Sequence, residues 1–85
     1  MDDLIVLVAT EVAVPVLGEV PPDTEADLFE AGADSLHLLR LVTRANAVFG
    51  IALDAEAFLR RPTLAVLIAL VAESLGADDA GRTAA

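Results

Sequence analysis

Two stretches of the chain carry apolar residues at the spacing of an amphipathic helix. In the first, apolar side chains recur at i, i+3, i+4 and i+7 on one face, and they are Leu38, Leu41, Val42, Ala45 and Phe49. This pattern predicts a helix from Ser35 to Phe49, ended by Gly50. The second stretch begins after Thr63, which can cap it, and runs to Gly76. Its core stripe is Leu64, Leu67, Ile68, Val71 and Leu75.

The first apolar run, residues 4–9, is less distinctive. It is rich in β-branched residues and fits a buried strand as well as a helix. We expect a helix, because no other segment offers a strand partner and a lone strand is not stable. Pro15 lacks an N–H and clashes with the carbonyl of Glu11, so this helix should end or kink near Val14.

Shorter elements complete the chain. After a long polar loop, Leu28 and Phe29 form an apolar anchor in a helical turn, and we assign Phe29 to the core. Asp54 can cap a brief helix over residues 55–59 that turns Phe58 inward. The sequence therefore predicts an all-α fold with three main helices, one short helix and a long loop after the first helix.

Composition limits the function more than the fold. The 85 residues have room for one small domain, which we place at residues 1–76, followed by a disordered tail without periodicity at residues 77–85. The chain has no cysteine and one histidine, and its carboxylates are scattered, so we expect no metal site. The formal net charge of −9 argues against nucleic acid as a partner. The acidic start and the lack of a long apolar run favour a cytoplasmic protein without membrane contact.

The residues with candidate chemistry lie where the polar loop enters the helix that starts at Ser35. As a catalytic nucleophile Ser35 would need a base, and His37 stands two positions along a helix, where side chains do not face each other. The G-x-S-x-G pattern of many hydrolases is absent as well. Capping explains Asp34. A serine at a helix start, where a phosphodiester is tolerated, fits an attachment point that other enzymes modify.

Residues 28–36, with the sequence LFEAGADSL, resemble the signature of acyl and peptidyl carrier proteins. Phe-Gly-Ile at residues 49–51 and Arg-Pro-Thr at residues 61–63 are similar to that family too. The resemblance implies a four-helix bundle without catalytic residues, carrying a 4′-phosphopantetheine arm that a phosphopantetheinyl transferase attaches to Ser35. It also implies that Asp34 assists recognition or metal binding during arm transfer.

The resemblance implies further partners. An adenylating or acyl-loading enzyme would place a thioester on the arm, and condensing or tailoring enzymes would use it. Leu36 matches a position that contacts partners in the family. We assign Leu39, Arg40 and Arg44 to the same docking surface, because they lie beside Ser35 outside the core stripe.

Three functions follow as hypotheses. The helix after Ser35 carries arginines and no acid, unlike that of fatty-acid-type carriers, so we favour a peptidyl carrier of nonribosomal peptide synthesis. The short chain, which starts at Met1 and has its own tail, favours a free-standing carrier, and we expect it to be monomeric. An acyl carrier of polyketide or fatty-acid-type synthesis is the alternative, because the Gly-Ala-Asp-Ser-Leu run also occurs there. A helical interaction module that bears no arm is the alternative from another class.

Overall fold

The computed structural model describes the backbone of residues 2–84 and the side chains of residues 3–76. Within these residues the chain forms four helices and no strand. They are α1 (residues 2–17), α2 (Ser35–Phe49), α3 (Ala55–Arg60) and α4 (Leu64–Ala84). The prediction of an all-α bundle with three main helices, one short helix and a long loop after the first helix is confirmed.

The first helix changes its hydrogen-bond register along its length. α1 is an α-helix over Asp2–Leu7, a π-helix over Val8–Ala13 and an α-helix again over Val14–Leu17. In the π-helical part the N–H of Val14 donates to the carbonyl of Ala9, five residues back. This wider turn relieves the clash between the ring of Pro15 and the carbonyl four residues before it. The prediction was that the helix ends or kinks near Val14, and an end there is wrong, because the helix continues to Leu17 and is capped by Gly18, where φ is 86°. The change of register falls directly before Val14.

The second helix has the predicted bounds. It follows Asp34, runs over Ser35–Phe49 and ends at Gly50, which adopts the left-handed conformation with a φ of 65°. The predicted stripe points inward, although Phe49 is only half-buried at the edge of the core. Both helix ends could be predicted because each depends on residues next to it in sequence.

The core forms where α1, α2 and α4 meet, with α3 and the long loop packed around them. Its buried apolar side chains are Val8, Val12, Ala13, Leu28, Leu38, Leu41, Val42, Ala45, Phe58, Leu64, Leu67 and Val71. Burial of Leu28 and Phe58 was predicted and is confirmed. The predicted core position of Phe29 is wrong, since its side chain is 43% exposed. Phe29 directly follows Leu28 in a tight turn, where only one of the two side chains faces the core.

The last helix starts as predicted and ends later than predicted. The hydroxyl of Thr63 accepts a hydrogen bond from the N–H of Val66 at 3.1 Å, which caps the helix. Gly76 does not adopt a positive φ, so it does not end α4, which continues to Ala84. The division into a domain at residues 1–76 and a disordered tail stays a prediction, and Ala85 lies outside the described residues.

The length and apolar character of the helices were compared with what crossing a membrane requires. Among the described residues, no helix combines the length and the apolar character that crossing a bilayer requires.

Candidate functional site

The turn that leads into α2 is closed by backbone hydrogen bonds. The N–H of Ala33 donates to the carbonyl of Leu28 at 2.9 Å, and the N–H of Gly32 donates to the carbonyl of Phe29 at 3.1 Å. Gly32 has a φ of 108°, a conformation that residues with a side chain rarely adopt. The turn therefore needs glycine at this position.

The same turn is anchored to the start of α4. The N–H of Leu28 donates to the carbonyl of Pro62 at 2.9 Å, and the N–H of Ala65 donates to the carbonyl of Thr24 at 2.9 Å. The side chain of Leu28 is buried in the core. The segment between α3 and α4 thus holds the loop in front of α2, which gives the Arg-Pro-Thr run a structural role.

Ser35 is the first residue of α2, and its side chain is exposed. The two side-chain hydrogen bonds of this helix turn join Asp34 and His37, and neither involves Ser35. The imidazole is thus engaged with Asp34 rather than with the serine hydroxyl. The geometry offers a free hydroxyl at a helix start without a base bound to it.

Asp34 and His37 form a reciprocal capping box around Ser35. The N–H of His37 donates to Oδ1 of Asp34 at 2.9 Å, and the N–H of Asp34 donates to Nδ1 of His37 at 3.2 Å. The predicted capping by Asp34 is confirmed, whereas the sequence analysis did not predict that the side chain of His37 completes the capping box. Its position three residues after the cap was the available signal, although glutamate or glutamine is usual there.

The same pair sets the electrostatics of the site. Nδ1 of His37 also lies 3.0 Å from Oδ1 of Asp34. A neutral imidazole accepts the backbone N–H of Asp34 at Nδ1, whereas a protonated one donates from Nδ1 to the carboxylate. The hydrogen bond from the N–H of His37 holds the pKa of Asp34 below its usual value. Partial desolvation of the carboxyl opposes this shift in pKa, and the charge of the imidazole adds to it.

The four residues predicted for the docking surface have different environments. Leu36 and Leu39 are 57% and 43% exposed, and Arg40 is exposed beside them. Arg44 is exposed too, but its Nε donates to the carbonyl of Glu11 in α1 at 2.8 Å. Arg44 therefore joins two helices, which sequence reasoning missed. The contacts of all four residues with a partner stay a prediction.

A cleft of about 380 Å³ opens beside the turn. Its walls come from the end of α1 and the loop after it, from the turn before α2 and from His37, and they include Glu19 and Asp23. Within the described part of the chain, no cluster of three or more acidic or histidine side chains could hold a metal ion.

The sequence matches the family model described as a phosphopantetheine attachment site, over residues 3–71. This match covers most of the chain, so the chain belongs to that family of carrier proteins. Members bear 4′-phosphopantetheine covalently on a serine. They are carriers rather than catalysts, and a phosphopantetheinyl transferase modifies them.

The chain is also similar in sequence to part of a curated protein. The chain is 38% identical over 52 residues to phosphinothricin tripeptide synthetase PhsC from Streptomyces viridochromogenes. The aligned stretch is 61% of this chain and 5% of the relative, so the chain corresponds to a small part of that protein. No solved structure matches the chain.

The residues around Ser35 fit the family's arm. The first N–H groups of α2 lack intrahelical acceptors, and the helix dipole favours an anion such as a phosphodiester at this end. A Cβ placed on Gly32 would meet nothing within 4 Å, so the glycine side of the turn is open. An arm on this serine would thus meet favourable electrostatics and an open approach.

Proposed function

We propose that Ser35 bears the 4′-phosphopantetheine arm, and that the chain acts as a peptidyl carrier in nonribosomal-peptide-type biosynthesis. One observation carries the attachment site: within residues 3–71, which the family model matches, Ser35 is the single serine. The other serine of the chain, Ser74, lies beyond this match in the middle of α4. The exposure of Ser35 at a helix start supports the same assignment.

In the transfer step this chain supplies the attacking hydroxyl. Oγ of Ser35 attacks the phosphorus of coenzyme A that bears the pantetheine. An O–P bond to serine forms, the bond to the leaving adenosine 3′,5′-bisphosphate breaks, and the serine proton passes to a base of the transferase. Once attached, the arm supplies a thiol that holds an acyl or aminoacyl group as a thioester.

Asp34 is the residue that we propose for recognition by the transferase or its Mg²⁺. Its side chain is 69% exposed, although Oδ1 accepts the N–H of His37. The pKa of Asp34 lies below its ordinary value because the N–H of His37 donates to the carboxylate, which favours the ionised form. An exposed, ionised carboxylate directly before Ser35 suits contact with a cation that also binds the pyrophosphate of coenzyme A.

Two observations support the peptide branch, that is, a carrier of nonribosomal peptide synthesis rather than of polyketide or fatty-acid-type synthesis. The relative is named a tripeptide synthetase, although the chain corresponds to only 5% of its length. In addition, α2 carries Arg40 and Arg44 and no acidic residue, whereas fatty-acid-type carriers present an acidic second helix. We therefore propose an adenylating enzyme as the loading partner, with condensing or tailoring enzymes downstream. An acyl carrier of polyketide or fatty-acid-type synthesis is the alternative.

We place the docking surface for these partners at Leu36, Leu39 and Arg40, with Arg44 at its edge. The two leucines are exposed beside the arm site, where exposed apolar side chains mark an interaction surface. We also propose a cytoplasmic and monomeric carrier. The net charge of −9 supports the monomer, because copies of so acidic a chain repel each other.

The mass of the intact protein tests the attachment site. The protein is incubated with coenzyme A, Mg²⁺ and a broad-specificity phosphopantetheinyl transferase. We expect wild type and the control variant Ser74→Ala to gain one phosphopantetheine, and Ser35→Ala to gain none. An adduct that persists in Ser35→Ala would refute the site. A wild-type protein that gains nothing would indicate the helical interaction module without an arm.

The branch needs a separate assay. Arm-bearing protein is offered to amino-acid-adenylating enzymes and, in parallel, to acyl-loading enzymes, and the cargo is identified from the intact mass. Loading with amino acids alone would support the peptidyl carrier. Loading with acyl groups alone would overturn the peptide branch and leave the attachment site unaffected.

A further inference from the structure

We propose that His37 is a positioning residue for arm transfer, which fixes the backbone on both sides of Ser35. This inference rests on the proposed attachment at Ser35. The hydrogen bonds of His37 go to Asp34 and not to the serine hydroxyl, so the imidazole acts through Asp34.

The capping box encloses Ser35 in a ring of hydrogen bonds. Before the serine, the N–H of Asp34 donates to Nδ1 of His37 at 3.2 Å. After the serine, the N–H of His37 donates to Oδ1 of Asp34 at 2.9 Å. Because both ends of this ring are fixed, the φ and ψ angles of Ser35 have little freedom. Its χ1 angle then remains as the main variable that sets the direction of Oγ.

A fixed direction of Oγ matters for the transfer step. The hydroxyl oxygen must approach phosphorus in line with the bond that breaks, and small displacements of a reacting group lower the rate strongly. Ser35 lies on the first helical turn, where free N–H groups leave the backbone prone to fraying. Closing this turn with a side chain therefore positions the nucleophile before the transferase binds.

His37 can bond to Asp34 in both of its protonation states, although only the neutral ring accepts the backbone N–H. The neutral ring accepts the N–H of Asp34, and the protonated ring binds the carboxylate of Asp34, since Nδ1 lies within 3.2 Å of both. His37 is half-buried against the cleft beside the turn, which restricts the ring further. A side chain without an acceptor would leave the N–H of Asp34 without this partner.

A matched pair of variants tests the role of His37. Glutamine can accept the N–H of Asp34 in a capping box, whereas leucine has a similar size and no acceptor. We expect His37→Leu to lower the kcat of arm transfer about fivefold, the factor that one hydrogen bond of ordinary net strength represents, with KM for the carrier unchanged. We expect His37→Gln to restore kcat. Thr43→Leu, on the exposed side of the same helix, should change neither constant.

Amide hydrogen exchange in the protein without an arm gives a readout that does not depend on transfer. The N–H of Asp34 should exchange about fivefold faster in His37→Leu than in wild type, and at the wild-type rate in His37→Gln. If His37→Leu is unfolded at the assay temperature, His37→Ala takes its place in both measurements.

The outcomes separate this inference from the proposed function. Transfer to His37→Leu at the wild-type kcat would refute positioning by His37. A KM for the carrier that is raised in His37→Leu and stays raised in His37→Gln would refute it too, because this result indicates direct contact between His37 and the transferase. A wild-type protein that accepts no arm would refute the proposed function itself.

Discussion

Replacing Arg44 with glutamine removes a hydrogen bond between two helices. Nε of Arg44 donates to the carbonyl of Glu11 at 2.8 Å, across 33 positions of sequence. In an ordinary helix this carbonyl would accept the N–H of residue 15, but Pro15 has none. A hydrogen bond from a charged group contributes about 1.5–3 kcal/mol, and exposure to solvent reduces this range. We expect Arg44→Gln to lower the free energy of unfolding by about 1 kcal/mol.

The proline provides a sharper version of this test. Pro15→Ala restores an N–H four residues after Glu11, so the carbonyl gains a donor within its own helix. Arg44→Gln should then have a smaller effect in the Pro15→Ala background than in wild type. A double-mutant cycle isolates this coupling, which we expect to be about 0.5–1 kcal/mol.

Urea unfolding followed by circular dichroism supplies the four free energies of the cycle. Arg40→Gln is the matched control, because Arg40 lies one turn earlier on the same helix and is exposed. Its effect should stay within about 0.5 kcal/mol. If the effects of Pro15→Ala and Arg44→Gln add without coupling, the explanation that Arg44 replaces the missing proline donor is wrong.

Three further predictions concern the core, the docking surface and the helix cap. Phe58 is fully buried and Phe49 is half-buried, so Phe58→Ala should cost about 3–5 kcal/mol in urea unfolding and Phe49→Ala clearly less; equal losses would contradict the burial. Leu39→Asp should keep the melting temperature and impair loading or transfer of the thioester; an unfolded variant would show that Leu39 belongs to the core. The lowered pKa of Asp34 stabilises the fold above the ordinary aspartate pKa of about 3.9, and this contribution is lost as pH falls through the lower folded-state pKa. The melting temperatures of wild type and Asp34→Asn should therefore converge at low pH, and a constant difference would contradict this reasoning.

The sequence predicted α2 and its cap at Asp34 because the determinants are local. The helix begins at Asp34, ends at Gly50 and buries a stripe that follows a single periodicity. The short helix after Asp54 is predictable for the same reason, since Asp54 accepts the N–H groups of Glu56 and Ala57 within one turn. In each case a residue and its partner lie within a few positions of each other.

The features that sequence reasoning missed depend on partners that are distant in the chain or on a choice between neighbours. The bond from Arg44 joins segments 33 positions apart. Which of Leu28 and Phe29 enters the core depends on how the loop is fixed by Pro62, far along the sequence. A periodic pattern contains no information about these contacts.

The bond from Arg44 changes what a partner would meet beside Ser35. With Nε of Arg44 engaged by α1, the exposed side chains of the first turns of α2 that remain for the proposed docking surface are Leu36, Leu39 and Arg40. Strong electrostatic steering needs many charges of one sign on the docking surface, and α2 provides few charges although the whole chain has a formal net charge of −9. We therefore propose that recognition beside the arm depends mainly on apolar contact with the two leucines. A contact limited to these side chains would bury little area, which would suit a carrier that leaves each enzyme after transferring its cargo.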